Sequence, residues 1–279
     1  MNIKIDPVLR WVGSKKRLID SIIKHMPKKF NHYYEPFLGS AVVYLNIPSK
    51  KSYINDFNPD LVNIYSQIKD NPDKLIKYLK KYKKEYVSTD NQKDYYIKKR
   101  DRFNKLKDNY NTERAALYIF INKTGFNGIM QINKFGNCTT GFGKMNNPKI
   151  VDSDNIYNFS DLLKTTTLKE TDYVKFLKKC KKGDFIYMDP PYVPCDTKQC
   201  TIKYIKDGWH ETDFLKLVEV YKELDKKGCY VMLSNSNSKF IRKHFPKNQY
   251  KVKKLEISRV LCPNSDKRDS EYELLIMNY

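Results

Sequence analysis

The sequence is poor in the residues that hold metals and covalent bridges. Its six cysteines include no CxxC pair, and it has only four histidines. Cys195 and Cys200, the nearest two, make a poor zinc site. Reduced thiols in an intracellular compartment are the simplest reading. A metal-dependent nuclease would need clustered carboxylates or histidines, and no such set stands out. No apolar run approaches the ~20 residues of a membrane span. The opening "MNIKIDPVLRWVG" lacks the apolar core of a signal peptide. Glycine is scarce as well: ten in 279 residues, and none from Phe57 to Thr124.

What the chain has in excess is positive charge. It carries 53 Lys+Arg against 32 Asp+Glu, a formal net charge of +21. Part of this is a compositional bias toward Lys, Ile, Asn and Tyr. The remainder favours a polyanionic partner such as nucleic acid.

Strand-like and helix-like segments alternate at both ends of the chain. "HYYEPFLGSAVVYLN" (32–46) reads as a short strand, a turn at Gly39-Ser40 and a helix start. "KSYINDFNPDL" (51–61) reads as a strand ending at Asp56, then a helix start. "TDFLKLVEVYKELDKKG" is an amphipathic helix closed by Gly228, and "CYVMLSNSN" is a buried strand. "YKVKKLEISRVL" and "SEYELLIMNY" form an expected antiparallel pair. This order predicts an α/β sheet with helices on both faces, and ligands beyond the carboxyl ends of its strands. Between these ends lies a lysine- and tyrosine-rich, mostly helical stretch. It is followed by "GFNGIMQINKFGNCTTGFGK" (125–144), whose five glycines in twenty residues suit a hairpin. Residues 57–149 therefore read as an inserted basic module, and 1–56 with 150–279 as the main domain.

Three strand ends carry chemistry-bearing residues. Glu35 to Ser40 includes Gly39, where the backbone can approach a ligand closely. Asp56 ends the next strand, where α/β nucleotide sites hold ribose hydroxyls. Each alone is equally a turn glycine or a helix-capping aspartate; together they favour an adenosine-containing ligand. The third is "DFIYMDPPY" (184–192), in which an apolar run meets Asp189, Pro190, Pro191 and Tyr192. The prolines donate no ladder hydrogen bonds, so the strand stops there. An exocyclic amine such as adenine N6 is a poor nucleophile because its lone pair is delocalised. Two acceptors aimed at its N–H bonds localise that pair. Asp189 supplies one and the rigidly held Pro190 carbonyl the other, while Tyr192 offers a stacking face. A base in a duplex would have to leave the stack to reach them.

These motifs, in this order and over nearly the whole chain, resemble the Dam-like, alpha-group DNA N6-adenine methyltransferases. "RWVGSK" (10–15) is similar to the family's N-terminal cofactor motif, with Trp11, Gly13 and Lys15. "EPFLGS" (35–40) is similar to its methionine-binding loop, with Glu35, Phe37, Gly39 and Ser40. "INDFN" (54–58) puts Asp56 in the ribose slot, and "TDY" (171–173) puts Asp172 and Tyr173 at the cofactor's adenine. "DPPY" resembles the catalytic motif, and "LSNSN" and "ELLIMNY" later ones. The resemblance implies S-adenosyl-L-methionine as cofactor, double-stranded DNA as partner, no metal, and an intracellular location. By the same resemblance 57–149 becomes a target-recognition domain, and "NKTGFNGIMQINKFGNCTTGFGK" its DNA-reading hairpin. Asn122, Lys123, Asn133 and Lys134 are then DNA-binding candidates. Phe126 would wedge into the stack, Asn127 would hold a phosphate or the orphaned thymine, and Ile129 would touch a thymine methyl. Arg10 would face an outer guanine.

Three positions depart from relatives that modify GATC. Gln131 stands where they carry arginine, Gly141 where they tend to have proline, and Ser14 where a glycine is usual. The expected site is therefore GATC-like but shifted or relaxed. The alternatives are an RNA or protein-glutamine methyltransferase and a catalytically inactive DNA-binding relative. A cognate restriction endonuclease, and action as a monomer or a dimer, stay open.

Overall fold

The computed structural model describes residues 4–47, 51–192, 209–256 and 272–279. Among these residues the strands are β1 (Tyr33–Glu35), β2 (Ser52–Asp56), β3 (Thr166–Glu170), β4 (Phe185–Met188), β5 (Tyr230–Ser236), β6 (Lys251–Glu256) and β7 (Tyr272–Met277). They form one sheet in the order β3-β2-β1-β4-β5-β7-β6. The pairs β1–β2, β1–β4 and β4–β5 are parallel; β5–β7 and β6–β7 are antiparallel. The helices are α1 (Ile19–His25), α2 (Pro59–Asp70), α3 (Pro72–Ser88), α4 (Gln92–Lys105), α5 (Thr112–Thr124), α6 (Ser153–Lys164), α7 (Tyr173–Leu177), α8 (Glu211–Lys226) and α9 (Lys239–His244). The expected α/β sheet with a closing antiparallel pair is borne out. No helix among the described residues is long and apolar enough to cross a membrane.

The chain divides into two compact units. The second comprises Lys15–Leu38, Asn46–Asn55 and Thr171–Tyr279. Its centre is β4, whose four residues Phe185, Ile186, Tyr187 and Met188 are all fully buried. That continuous apolar run is what a parallel strand covered on both faces requires. Helix α8 presents Phe214, Leu217, Val218, Tyr221 and Leu224 at three- and four-residue spacing, and all are buried. Gly228 follows it at φ +77°, a conformation that stops the helix and favours glycine.

The first unit comprises Met1–Ser14, Gly39–Leu45 and Asp56–Glu170. Its central helix is α5, apolar on every side ("AALYIFI") and therefore buried all round. Three tyrosines of the lysine-rich stretch are core residues. Tyr82, Tyr86 and Tyr96 are buried, with Tyr86 5.7 Å and Tyr82 5.9 Å from Phe120 of α5 between ring centroids. Asn58, Asn91 and Asn111 cap α2, α4 and α5 through their side chains. Arg114 of α5 grips Asp60 of α2 with both forks, Nε to Oδ1 at 2.6 Å and Nη2 to Oδ2 at 2.9 Å. Its side chain is only 6% exposed, and its guanidinium lies 4.1 Å from the centre of the Phe103 ring. Removing one member strands a buried charge. Arg114→Ala is expected to lower unfolding free energy by about 3–5 kcal/mol, to be read by denaturant titration.

Two local readings of the sequence are corrected. The helix start expected after Ser40 is only a single 3-10 turn, Tyr44–Asn46, because Ala41 sits at φ +62° and breaks helical geometry. The hairpin of 125–144 is held by two isolated antiparallel bridges, Gly125 to Phe142 and Ile132 to Cys138, with no regular ladder. A 3-10 turn at Phe126–Gly128 and side-chain hydrogen bonds replace it.

Candidate active site

In the second unit β4 delivers Asp189 to the carboxyl edge of the sheet. Register places Met188 opposite Leu233, and so brings Ser234 of β5 beside Asp189. Lys15, in a 3-10 turn before α1, is buried, with Nζ 2.8 Å from Asp189 Oδ2 and 3.6 Å from Glu273 Oε2 of β7. The same ammonium lies 5.0 Å from the centre of the Tyr192 ring. The Tyr192 and Ser234 hydroxyls are 3.4 Å apart, and Ser234 donates to Glu273 Oε2 at 3.3 Å. Desolvation pushes the Asp189 carboxyl up to about 6; Lys15 pulls it down and Glu273 pushes it up. Desolvation and then the charges of Asp189 and Glu273 raise the Tyr192 phenol far above its ordinary range, so it stays neutral.

A second cluster in this unit is aromatic. The ring centroids of Phe37 and Tyr173 are 5.2 Å apart, those of Phe37 and Trp209 5.9 Å, and those of Tyr173 and Trp209 6.0 Å. Asn55 positions its approaches: the amide donates to the Pro36 and Thr171 carbonyls, both at 3.0 Å, and accepts from Thr171 N–H at 3.1 Å. Asp172 caps α7, accepting from Val174 N–H at 3.0 Å and Lys175 N–H at 3.3 Å. Glu35 is buried and accepts from the Tyr33 hydroxyl at 2.6 Å. Tyr173 Oη and Trp209 Nε1 are buried with no hydrogen-bond partner among the described residues. Two orphaned donors beside aromatic faces fit a planar heterocycle rich in acceptor nitrogens, which is the adenine end of S-adenosyl-L-methionine.

In the first unit the glycine loop and Asp56 meet. Gly39 N–H donates to Asp56 Oδ2 at 2.9 Å, and Gly39 O accepts from the Tyr65 hydroxyl at 2.6 Å. Asp56 Oδ1 accepts from Asn58 N–H at 2.9 Å, and it is Asn58, not Asp56, that caps α2. Gly39 has φ +49°, and a Cβ there would lie 2.8 Å from Trp11 Nε1. Ser40 Oγ lies 3.4 Å from Ser14 Oγ, and Gly13, at φ +77°, is exposed. Trp11, Gly13, Gly39, Ser40 and Asp56 thus share one corner.

The same unit builds a displayed loop. Asn122 of α5 is 1% exposed; its amide donates to Arg10 O at 2.9 Å and Gly128 O at 2.7 Å, and accepts from Arg10 N–H at 2.8 Å. Gly128 sits at φ +68°, and a Cβ there would lie 2.7 Å from Arg10 Cδ. Phe126 N–H donates to Gly141 O at 2.8 Å. Thr140 accepts from Gln131 N–H at 2.9 Å and donates to Ile129 O at 3.0 Å. Asn133 turns the chain, accepting from Phe135 and Asn137 N–H, both at 3.0 Å. The side chains left facing outward include Arg10, Phe126, Asn127, Gln131 and Lys134; Lys123 and Ile129 are half-buried. Asn122 holds the loop with its whole amide, and Asn133 with its side-chain oxygen.

A family model described as D12 class N6 adenine-specific DNA methyltransferase matches residues 11–258. The chain belongs to this family. It is 34% identical over 281 residues to the Type II methyltransferase M1.LlaDCHI of Lactococcus lactis subsp. cremoris, covering 99% of this chain and 96% of the relative. It is 35% identical over 290 residues to the Type II methyltransferase M.MjaIII of Methanocaldococcus jannaschii, covering 99% and 100%. A DNA adenine methylase of Haemophilus influenzae is 30% identical over 275 residues, covering 98% and 93%.

The clusters of the second unit also contain residues that the sequence did not mark out as site candidates. Glu273, Ser234, Asn55 and Trp209 all enter the two clusters of the second unit. A signal existed for Glu273, an acid opening an otherwise apolar strand, and for Asn55, an amide on the buried face of one. Trp209 carried no such mark. Cys195 and Cys200 lie outside the described residues.

Proposed function

We propose that this methyltransferase moves a methyl group from S-adenosyl-L-methionine to N6 of an adenine flipped out of a short duplex DNA sequence. The observation that carries the reading is the ionisable Asp189, fixed at the end of a rigid strand beside Tyr192. The donor, when bound, supplies an electrophilic methyl group on a sulfonium. Phe37, Tyr173 and Trp209 would face its adenine, with the orphaned Tyr173 hydroxyl and Trp209 N–H as donors. Asp56 would accept from the ribose hydroxyls, with Asp172 close to the base. Trp11, Gly13, Gly39, Ser40 and Glu35 would shape the remaining approach. Asp189 and the Pro190 carbonyl would accept from the target amine, and Tyr192 would stack on the base. N6 would gain the methyl as the methyl–sulfur bond breaks, leaving a neutral thioether, and would lose one proton to solvent. Lys15, with Nζ 2.8 Å from Asp189 Oδ2, would hold that carboxylate ionised and flank the donor.

Residues 57–149 would act as the target-recognition module. Phe126 is 60% exposed, which suits insertion into the space a flipped base leaves. Asn127, in a left-handed conformation at φ +55°, points the turn outward. Lys123 and Lys134 would meet phosphates, and Ile129 and Gly141 a thymine. Arg10 suits guanine, and Gln131 suits adenine N6 and N7. The sequence methylated would then be related to GATC but altered at one outer position. The Type II names of two relatives are consistent with a companion endonuclease for this chain.

The test is a methylome from a host lacking its own adenine methylation, with purified enzyme assayed on duplex DNA and on RNA. Modified adenines in a single short motif other than strict GATC are expected. Strict GATC would refute the altered specificity, and activity on RNA alone would refute the DNA reading.

A further inference from the structure

The mechanism above uses Asp189 as a negative acceptor, yet Lys15 places a positive charge 2.8 Å away. An isolated Asp189–Lys15 pair is neutral. It would keep the carboxylate ionised but give little field to a nitrogen that becomes positive as the new N–C bond forms. Glu273 changes that sum. Its Oε2 is 3.6 Å from the same ammonium, and its side chain is 13% exposed. Ser234 donates to that oxygen and orients it. The side chains lie diagonally across the antiparallel β5–β7 pair, in which Ser234 is opposite Leu275 and Ser236 opposite Glu273.

We infer that Glu273 is a positioning residue that shares Lys15 with Asp189, so that the three groups carry a net charge of −1 toward the methylated nitrogen. The inference rests on the proposed transfer to an exocyclic amine and adds a role for the last strand of the sheet. Lys15 keeps Asp189 ionised; Glu273 keeps the cluster negative. Field aimed at charge that develops only in the transition state raises the rate without tightening substrate binding.

Among the described residues, the other titratable groups facing Asp189 are Tyr192, Tyr187 of β4 and Tyr33 of β1, with Glu35 beside Tyr33. All three phenols are held far above their ordinary range, desolvation first among the causes, so they stay neutral. Lys15 and Glu273 are therefore the charges to change. They should act on Asp189 with opposite signs.

The experiment titrates the Asp189 carboxyl by carbon-detected NMR in full-length protein labelled with 13C-aspartate. It also measures single-turnover methyl transfer to duplex DNA against pH. Glu273→Gln should move the Asp189 midpoint down, and Lys15→Met should move it up. Glu273→Gln should slow transfer tenfold or more, with KM for DNA and donor within about twofold. Glu273→Asp, which keeps the charge, should hold the midpoint near wild type and recover part of the rate. An unmoved or raised midpoint in Glu273→Gln would overturn the inference, as would a loss confined to KM. If Glu273→Gln does not fold, a midpoint that Lys15→Met fails to raise overturns it instead. The NMR arm needs no turnover, so a wild-type protein inert toward DNA adenine would sink the proposed function while the titration still decides the charge network.

Discussion

Asp189→Ala is expected to lose methyl transfer by about 10²–10³-fold or more, with DNA binding retained. The size follows from removing a preorganised charged acceptor in a partly dehydrated site. The side chain keeps a fifth of its surface exposed, yet desolvation still pushes its carboxyl up to about 6. In the proposed mechanism the acceptor is the carboxylate. Wild-type transfer should therefore fall as pH drops through about 6. The stability consequence has the opposite sign. A carboxyl whose folded value lies above its unfolded value favours the fold most when protonated. Its contribution is complete below the unfolded value and is lost as pH rises through about 6. Under the proposed mechanism the enzyme would hold Asp189 in its less stable state because that state accepts from the target amine. Single-turnover rates against pH, with gel-shift binding of the variant, check both claims. A variant that transfers within tenfold of wild type would remove Asp189 from the chemistry.

Gln131→Arg is expected to redirect recognition. The Gln131 backbone is fixed by Thr140 and Thr139, while its side chain is exposed. Exchange of the side chain should therefore leave the loop intact. Glutamine offers a donor and an acceptor in the pattern of adenine, and arginine two donors in the pattern of guanine. One bidentate pair discriminates by about 1–3 kcal/mol, roughly five- to 150-fold. The variant should gain kcat/KM on duplexes with guanine at the matched outer position and lose it on the wild-type sequence. Oligonucleotides differing only at that base pair give the measurement. An unchanged preference would show that Gln131 does not read a base.

The main frame of the fold was legible because its signals are local. Phe185 to Met188 form a continuous apolar run, and two prolines end it; the strand stops at Met188. Phe214 to Leu224 follow helical spacing up to a glycine. The less legible parts depend on contacts distant in sequence. Nothing in "SAVVYL" announces that Ala41 would be left-handed, which limits the expected helix to one turn. The glycines of 125–144 do mark a reversal, but hydrogen bonds accepted by Asn104 and Thr140 and donated by Asn122, rather than a strand ladder, decide its form. In the site, Asp189 and Tyr192 were visible as a motif. The aromatic cluster was only half visible, because Trp209 meets Phe37 and Tyr173 from far along the chain.

The Asn122 amide has a consequence for how such an enzyme diversifies. One side chain fixes the backbone on both sides of Arg10 and the turn at Gly128. The frame is thereby separated from the letters it displays. Asn122 and Gly128 tolerate little change, whereas the side chains of Gln131 and Lys134 are exposed, and that of Arg10 packs its stem against Gly128 while its end is exposed. If the proposed base contacts hold, a lineage could drift from one methylated sequence to another by exchanging single outward residues while the loop keeps its fold.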